Sequence, residues 1–236
     1  MPAERYYSPS ILEQGAEVRL EKGEHHHLVH VMRAKVGDQV ELVNGKGALA
    51  ACEVATLSKR EAILIVRSVE FQEAETNNIT LYQAIPRMNR LDTIIEKCTE
   101  LGMTEMVLWA SEYSERKKLT DDQVERLQHV AISAMKQCGR LYLPKISFAK
   151  TLQFENSALY FGDLAPEAPK FYNINIQPSC GFVIGPESGL TENEMAHLRK
   201  SGALGVNLHE NVLRTDTAAI TALVLISSKL MGESPT

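Results

Sequence analysis

No apolar run in these 236 residues reaches the roughly eighteen that a membrane-spanning helix needs. Cysteine is scarce: Cys52, Cys98, Cys138 and Cys180 stand apart, without CxxC spacing. That pattern argues against a disulfide framework and against a zinc site, and it suits the reduced thiols of a cytosolic protein. The opening MPAERYYSPS carries charges and prolines where a secretory signal needs an apolar core, so a cytoplasmic location is expected. Neither GxGxxG nor a Walker A GK[ST] occurs after an apolar strand, which removes the standard NAD and nucleotide-phosphate cradles. Excess positive charge is missing too. The net charge of −5 opposes nucleic-acid binding through the whole surface and leaves only local patches for it.

What is present is an ordinary globular composition, 44% hydrophobic and 23% charged. Residues 1–72 read as a small β-rich unit with strands at Gln39–Val43, Ala48–Leu57 and Glu61–Val69, and Asn44-Gly45 as a hairpin-type turn. A short helix is expected over Glu24–Ala34, ahead of a Val36-Gly37-Asp38 turn. On it His26 and His30 share a face at a usable ligand spacing. No cysteine, and no carboxylate besides Glu24, completes a site, so no metal is expected. Arg33 follows on the same helix, and a basic, ring-bearing face suits phosphate contacts.

The polar stretch Phe71–Asn78 reads as a linker, with 73–78 as its core. Beyond it strands and helices alternate. Strands are expected at Ile79–Ile85, Glu105–Trp109, Ala158–Phe161, Gly181–Ile184 and Gly205–Leu208. Helices are expected at Met88–Leu101, Asp122–Cys138, Glu192–Lys200 and Thr215–Leu230. Such alternation gives an α/β class with a mainly parallel sheet. In the first of these helices Ile94, Ile95, Cys98 and Leu101 form an apolar stripe, with Lys97 and Glu100 as a surface pair. Gly139 closes the second, where Gln137 and Arg140 have a plain reading as solvated helix-end residues.

Two stretches carry the functional signal. IGPESGL, Ile184–Leu190, follows a strand, and TENE then opens a helix with a capping-box pattern. Its glycines allow a ligand close approach to the backbone. LHENVLRTDTAAITALVL, Leu208–Leu225, passes from a strand end through a polar turn into a helix. Thr215 and Asp216 are cap candidates for that helix, or they mark a ligand site at the strand ends of an open sheet.

Taken together, VIGPESGL and LHENVLRTDTAAITAL resemble the GPEGGL and LRTETA motifs of the bacterial 16S ribosomal RNA (uracil-N3)-methyltransferase family, a branch of the SPOUT superfamily. IIEKCTELG (Ile94–Gly102), KQCGR (Lys136–Arg140) and HHHLVHVMRAKVGD (His25–Asp38) extend the likeness in the same order along the chain. The resemblance implies a PUA-like β-barrel over 1–72 that docks RNA. It also implies a SPOUT methyltransferase domain with a C-terminal trefoil knot over 79–236. It further implies S-adenosyl-L-methionine as cofactor, a homodimer with the active site near the subunit interface, and 16S rRNA within the assembled 30S subunit as substrate. Another SPOUT activity, on ribose 2′-O or guanine N1, and an inactive RNA-binding relative are the alternatives.

Carried over by motif, the cofactor would be held by Leu159, Phe161 and Gly162, by Ile184, Gly185, Pro186, Glu187 and Gly189, and by Leu208, His209, Val212 and Leu213. Arg214 and Glu187 would be catalytic, with Glu187 or Asp216 orienting Arg214. His27, Arg33, Arg87, Arg90, Gln137 and Arg140 would face RNA. Two positions depart from the family pattern: Ser188 and His209 stand where glycines are usual. A histidine there is expected to lose access to a left-handed backbone or to crowd the loop.

Overall fold

In the computed structural model, which describes residues 4–74, 76–155 and 158–232, the chain divides into two compact units. One comprises Met1–Ala74 with Ile132–Leu143, the other Glu75–Ala131 with Pro144–Thr236. The expected linker at 73–78 includes Glu75, which lies outside the described residues, as do 1–3 and 233–236 at the ends of the two expected domains.

The smaller unit is a curled five-stranded sheet. Its strands are β1 (Arg5–Tyr7), β2 (Glu17–Glu21), β3 (Gln39–Val43), β4 (Ala48–Leu57) and β5 (Glu61–Phe71), in the order β1-β3-β4-β5-β2. All pairs are antiparallel except β1 with β3. Alternating side chains of β2, β4 and β5 point inward, so Leu20, Ala50, Cys52, Val54, Leu64 and Val66 meet Tyr6, Leu28 and Leu42 in one core. Register shifts between Ala51 and Cys52 and between Val54 and Thr56 add the local twist that curls the β4–β5 pair. In the β3–β4 turn the Asn44 side chain accepts from the Lys46 N–H at 2.8 Å and Gly45 has φ +69°.

The helix expected at Glu24–Ala34 is altered. It starts earlier, as α1 (Lys22–His26), and continues as a π turn over His27–Val31. The wider register brings His25 edge-on to His30, with ring centroids 6.5 Å apart. His25 itself is buried, its Nε2 3.0 Å from the Ser58 carbonyl oxygen.

The larger unit is a six-stranded parallel sheet ordered β11-β9-β10-β6-β7-β8. Its strands are β6 (Asn78–Ala84), β7 (Glu105–Trp109), β8 (Lys145–Ala149), β9 (Ala158–Gly162), β10 (Ser179–Ile184) and β11 (Leu204–Val206). The helices are α2 (Met88–Glu100), α3 (Asp121–Cys138), α4 (Glu192–Lys200) and α5 (Thr215–Gly232). Strands β6 and β10 are buried almost throughout, as central parallel strands are. On α2 the buried residues Leu91, Ile94, Ile95 and Cys98 realise the expected stripe, and α2 packs against α5. Strand β8, absent from the sequence reading, is an edge strand with no fully buried residue. The second half of α3 clusters with the smaller unit: Met135 and Leu141 pack on Val43, and Arg5 donates to the Gly139 carbonyl at 2.8 Å.

Candidate cofactor site

Strands β9, β10 and β11 end side by side, and the loops leaving them enclose a cavity of about 260 Å³. This is just below the ~300–1,000 Å³ typical of small-molecule sites, and it sits where open parallel sheets bind ligands.

The loop after β10 is folded tightly by its own sequence. Gly189 adopts φ +78° and donates its N–H to the Pro186 carbonyl at 2.9 Å. A Cβ on Gly185 would come within 3.0 Å of the Gly189 carbonyl carbon and 3.1 Å of the Leu190 nitrogen, so no larger residue fits without moving the turn. Helix α4 then begins with a full capping box. The Thr191 side chain accepts from the Glu194 N–H, and the Glu194 carboxylate accepts from the Thr191 N–H.

The opposite wall is the segment between β11 and α5. Thr215, the first residue of α5, is buried; its hydroxyl donates to the Gly185 carbonyl at 2.8 Å and accepts from Gln83 Nε2 at 3.1 Å. A β6 side chain therefore ties the first residue of α5 to the glycine turn. At the end of β9, Asp163 accepts from the Ala165 N–H at 3.0 Å and from Arg199 at 2.6 Å, while the Arg199 guanidinium lies 5.3 Å above the Phe161 ring.

The expected cofactor residues fall into two groups. Gly162, Ile184, Gly185, Pro186, Glu187, Gly189, Leu208, His209, Val212 and Leu213 all line the cavity. Leu159 and Phe161 do not: they lie in the apolar core with Tyr82, Val183 and Leu198. Inward-facing β9 residues support the floor, and only the chain beyond Phe161 reaches the cavity. Asp163, Ser188 and Asn211, which fall within the cofactor loops the resemblance implies (159–163, 184–189 and 208–214), also line it, as do Thr215, expected as a cap or ligand residue, and Ala218, which was not expected there. Of these, Thr215 carried a signal in its cap position and Asp163 in its place after a strand.

Ser188 and His209, the two departures from glycine, hold backbone conformations open to any residue. The left-handed region in this loop falls to Gly189 alone. His209 is exposed, and its Nδ1 accepts the Asn211 N–H at 3.0 Å, so the ring closes a local turn.

A second correction concerns charge. Neither Glu187 nor Asp216 orients Arg214. Both pair with Arg90 instead, whose Nη1 is 2.9 Å from Asp216 and whose Nε is 3.4 Å from Glu187. Glu187 also accepts the Arg87 N–H at 3.2 Å. Arg214 is exposed and forms no ion pair among the described residues. Of the residues expected to face RNA, Arg33 and Gln137 are exposed and Arg140 is half-buried. Arg87 is exposed but paired with Glu115 at 2.9 Å, which holds that carboxyl below its ordinary range. His27 is half-buried, its ring 5.7 Å from that of Tyr6 and its Nδ1 shut off from solvent.

The lining has a definite chemistry. Apolar side chains such as Leu208, Leu213 and Val206 suit a flat base, and backbone groups of the turns suit its edges. Its only ionisable groups among the described residues are Asp163, Glu187 and His209, with no lysine or arginine. A polyphosphate would be repelled there, whereas S-adenosylmethionine, with a sulfonium and an ammonium against one carboxylate, fits.

Comparison with known proteins agrees with this chemistry. Residues 72–227 match the family described as RNA methyltransferase domain, and residues 20–67 match the RNA methyltransferase PUA domain. Ribosomal RNA small subunit methyltransferase E of Rickettsia conorii is 27% identical, over 98% of this chain and 97% of its own. The solved structure of the enzyme of that name from Neisseria gonorrhoeae, bound to S-adenosyl methionine, is 28% identical. It superposes with a TM-score of 0.83 over 96% of this chain and 98% of its own. A Thermotoga maritima protein described as a predicted RNA methyltransferase is 32% identical, with a TM-score of 0.81 over 98% and 99% of the two chains.

Proposed function

We propose that this chain, which belongs to the RNA methyltransferase family and carries that family's PUA domain, methylates N3 of a uridine in 16S ribosomal RNA. The observation that carries this reading is the cavity at the ends of β9, β10 and β11, which has a glycine turn and no cationic lining residue among those described. Bound there, S-adenosylmethionine supplies an electrophilic methyl group on its sulfonium.

The chain's own residues then have three tasks. The turns at 185–189 and 208–213 hold the cofactor and exclude water from its reactive end. Uracil N3 carries a proton and becomes a good nucleophile only as that proton leaves. Glu187 stands at the cavity wall, and its Oε2 accepts from no group among the described residues, so it is placed to take the proton. Negative charge then grows on the uracil oxygens, where the unpaired Arg214 guanidinium stabilises it. Exposed basic residues of the smaller unit, Arg33 foremost, contribute phosphate contacts. The resemblance to the uracil-N3 family supports a homodimer, a knotted threading of the cofactor loops, and a substrate already assembled as the 30S subunit.

The test is methyl transfer from labelled S-adenosylmethionine to undermethylated 30S subunits, naked 16S RNA and tRNA. Label in the 30S subunits that drops at least about a hundredfold in Arg214→Ala, cofactor saturating, is the expected result. Full single-turnover methylation by Arg214→Ala would remove Arg214 from the mechanism.

A further inference from the structure

Between β7 and α3 the chain runs through SEYSERKKLT, residues 111–120, and its own side chains fold it. Lys117 Nζ donates to the carbonyls of Ser111 and Glu112 at 2.6 and 2.8 Å, and the Ser114 N–H donates to the Ser111 carbonyl at 3.0 Å. The loop is therefore closed on itself. Two further contacts fasten it to the wall of the cofactor cavity. Glu194, the capping-box acid of α4, accepts from the Ser111 hydroxyl at 3.2 Å and from the Glu112 N–H at 2.8 Å. Glu115 takes the Arg87 guanidinium at 2.9 Å, and the Arg87 backbone N–H donates at 3.2 Å to Glu187, which lines the cavity.

Three side chains are left over from this framework. Tyr113 is 52% exposed, and Arg116 and Lys118 are exposed without a hydrogen bond or ion pair among the described residues. The field of Arg116 reaches Glu115, but that acid is committed to Arg87. Counting Arg87 and Glu194, the loop and its partners carry four cations against three acids, in a chain of net charge −5. A single exposed tyrosine is ordinary surface. One that shares a closed, anchored loop with two uncommitted cations has the makings of a binding surface for a nucleic-acid strand.

We propose that this loop contacts the RNA strand beside the target uridine, with Tyr113 stacked on a neighbouring base and Arg116 and Lys118 on phosphates. The inference rests on the RNA-methylating reading given above. A base that enters a cavity must leave its stack, which uncovers the face of its neighbour. A tyrosine ring on a rigid support is a natural partner for that face. The strand's phosphates need cations close to the site, and the described residues lining the cavity include no lysine or arginine. The adjoining loop supplies them.

The test is equilibrium binding of the full-length chain to undermethylated 30S subunits and to naked 16S RNA over a salt series, by filter retention of labelled RNA. Arg116→Ala combined with Lys118→Ala is expected to weaken binding to both by roughly tenfold and to lower the slope of log affinity against log salt by about 0.7 for each cation removed. Tyr113→Ala is expected to weaken binding by roughly fivefold to a hundredfold with the slope unchanged, whereas Tyr113→Phe binds as the unaltered chain does. None of the three residues lines the cavity, so cofactor titration is unchanged, and all three are exposed, so thermal unfolding stays near its unaltered temperature. Unchanged RNA binding in these variants overturns the proposal, as does an unchanged salt slope when both cations are removed. A loss confined to 30S subunits overturns it too, and assigns the loop to a ribosomal protein. Failure of the underlying reading shows separately, as no methyl transfer to 30S subunits by the unaltered chain, while the binding series still reports on the loop.

Discussion

The Thr215 hydroxyl donates to the carbonyl oxygen of Gly185 across 2.8 Å, joining the first residue of α5 to the first residue of the turn after β10. Gln83, fully buried on β6, donates to the same hydroxyl. The cavity's two walls are thus fixed to each other by one side-chain oxygen. Thr215→Val removes that oxygen at almost constant volume and takes a partner from the Gly185 carbonyl and from one hydrogen of the Gln83 amide, whose nitrogen still donates to the Ala84 carbonyl at 2.9 Å. The expected loss is about 1–3 kcal/mol in urea unfolding, together with weaker cofactor binding by titration.

Gly185 and Gly162 make a paired test of the turn. A methyl group on Gly185 meets the Gly189 backbone at 3.0 Å, whereas on Gly162 it meets nothing within 4 Å. Gly185→Ala should therefore cost roughly 1–3 kcal/mol and abolish most cofactor binding. Gly162→Ala should unfold close to the wild-type temperature, and calorimetry of the two variants checks the contrast.

His209→Gly should not improve the protein. The histidine holds an ordinary backbone conformation and closes its turn through Asn211. Replacing it removes one exposed hydrogen bond and adds chain freedom, for a loss of about 0.5–1.5 kcal/mol or less. A large gain in stability or cofactor affinity would show that the ring crowds the loop after all.

Stability should fall in alkaline solution because of buried thiols. Burial pushes Cys52 up to about 11 and Cys180 up to about 12, and raises Cys98 as well, against an ordinary 9.0. The unfolded chain therefore ionises first, and the folded chain holds more protons at intermediate pH. Stability contributed by these groups is fully present below pH 9 and is lost as pH rises toward 11–12. Urea midpoints measured from pH 7 to pH 10.5 should be level at first and then decline, and Cys52→Ser, Cys180→Ser and Cys98→Ser variants should flatten that decline.

Much of the larger unit was legible because its signals are local. The apolar stripe of α2, the capping box of α4 and the strand–turn–helix at 184–192 all follow from neighbouring residues. Strand β8 was missed because KISFA, although it alternates polar and apolar residues, is only five residues long, and at a sheet edge none of them is fully buried. β1 was missed because three residues carry no period, and its parallel pairing with β3 is long-range. The π turn at His27–Val31 answers to the burial of His25 against Ser58, a tertiary demand. The site's residues were mostly readable from motifs, but its wiring was not. Which acid meets which arginine depends on where α2 lies relative to α5, and the Arg90 pairing appears only in three dimensions.

The central claim is that this site places a methyl group on one ring nitrogen of one kind of base. Its most direct test is nucleoside mass spectrometry of 16S RNA from undermethylated 30S subunits treated with the protein and isotopically labelled S-adenosylmethionine. The account predicts a single labelled nucleoside that co-elutes with 3-methyluridine. Label on a ribose or on a purine would contradict it.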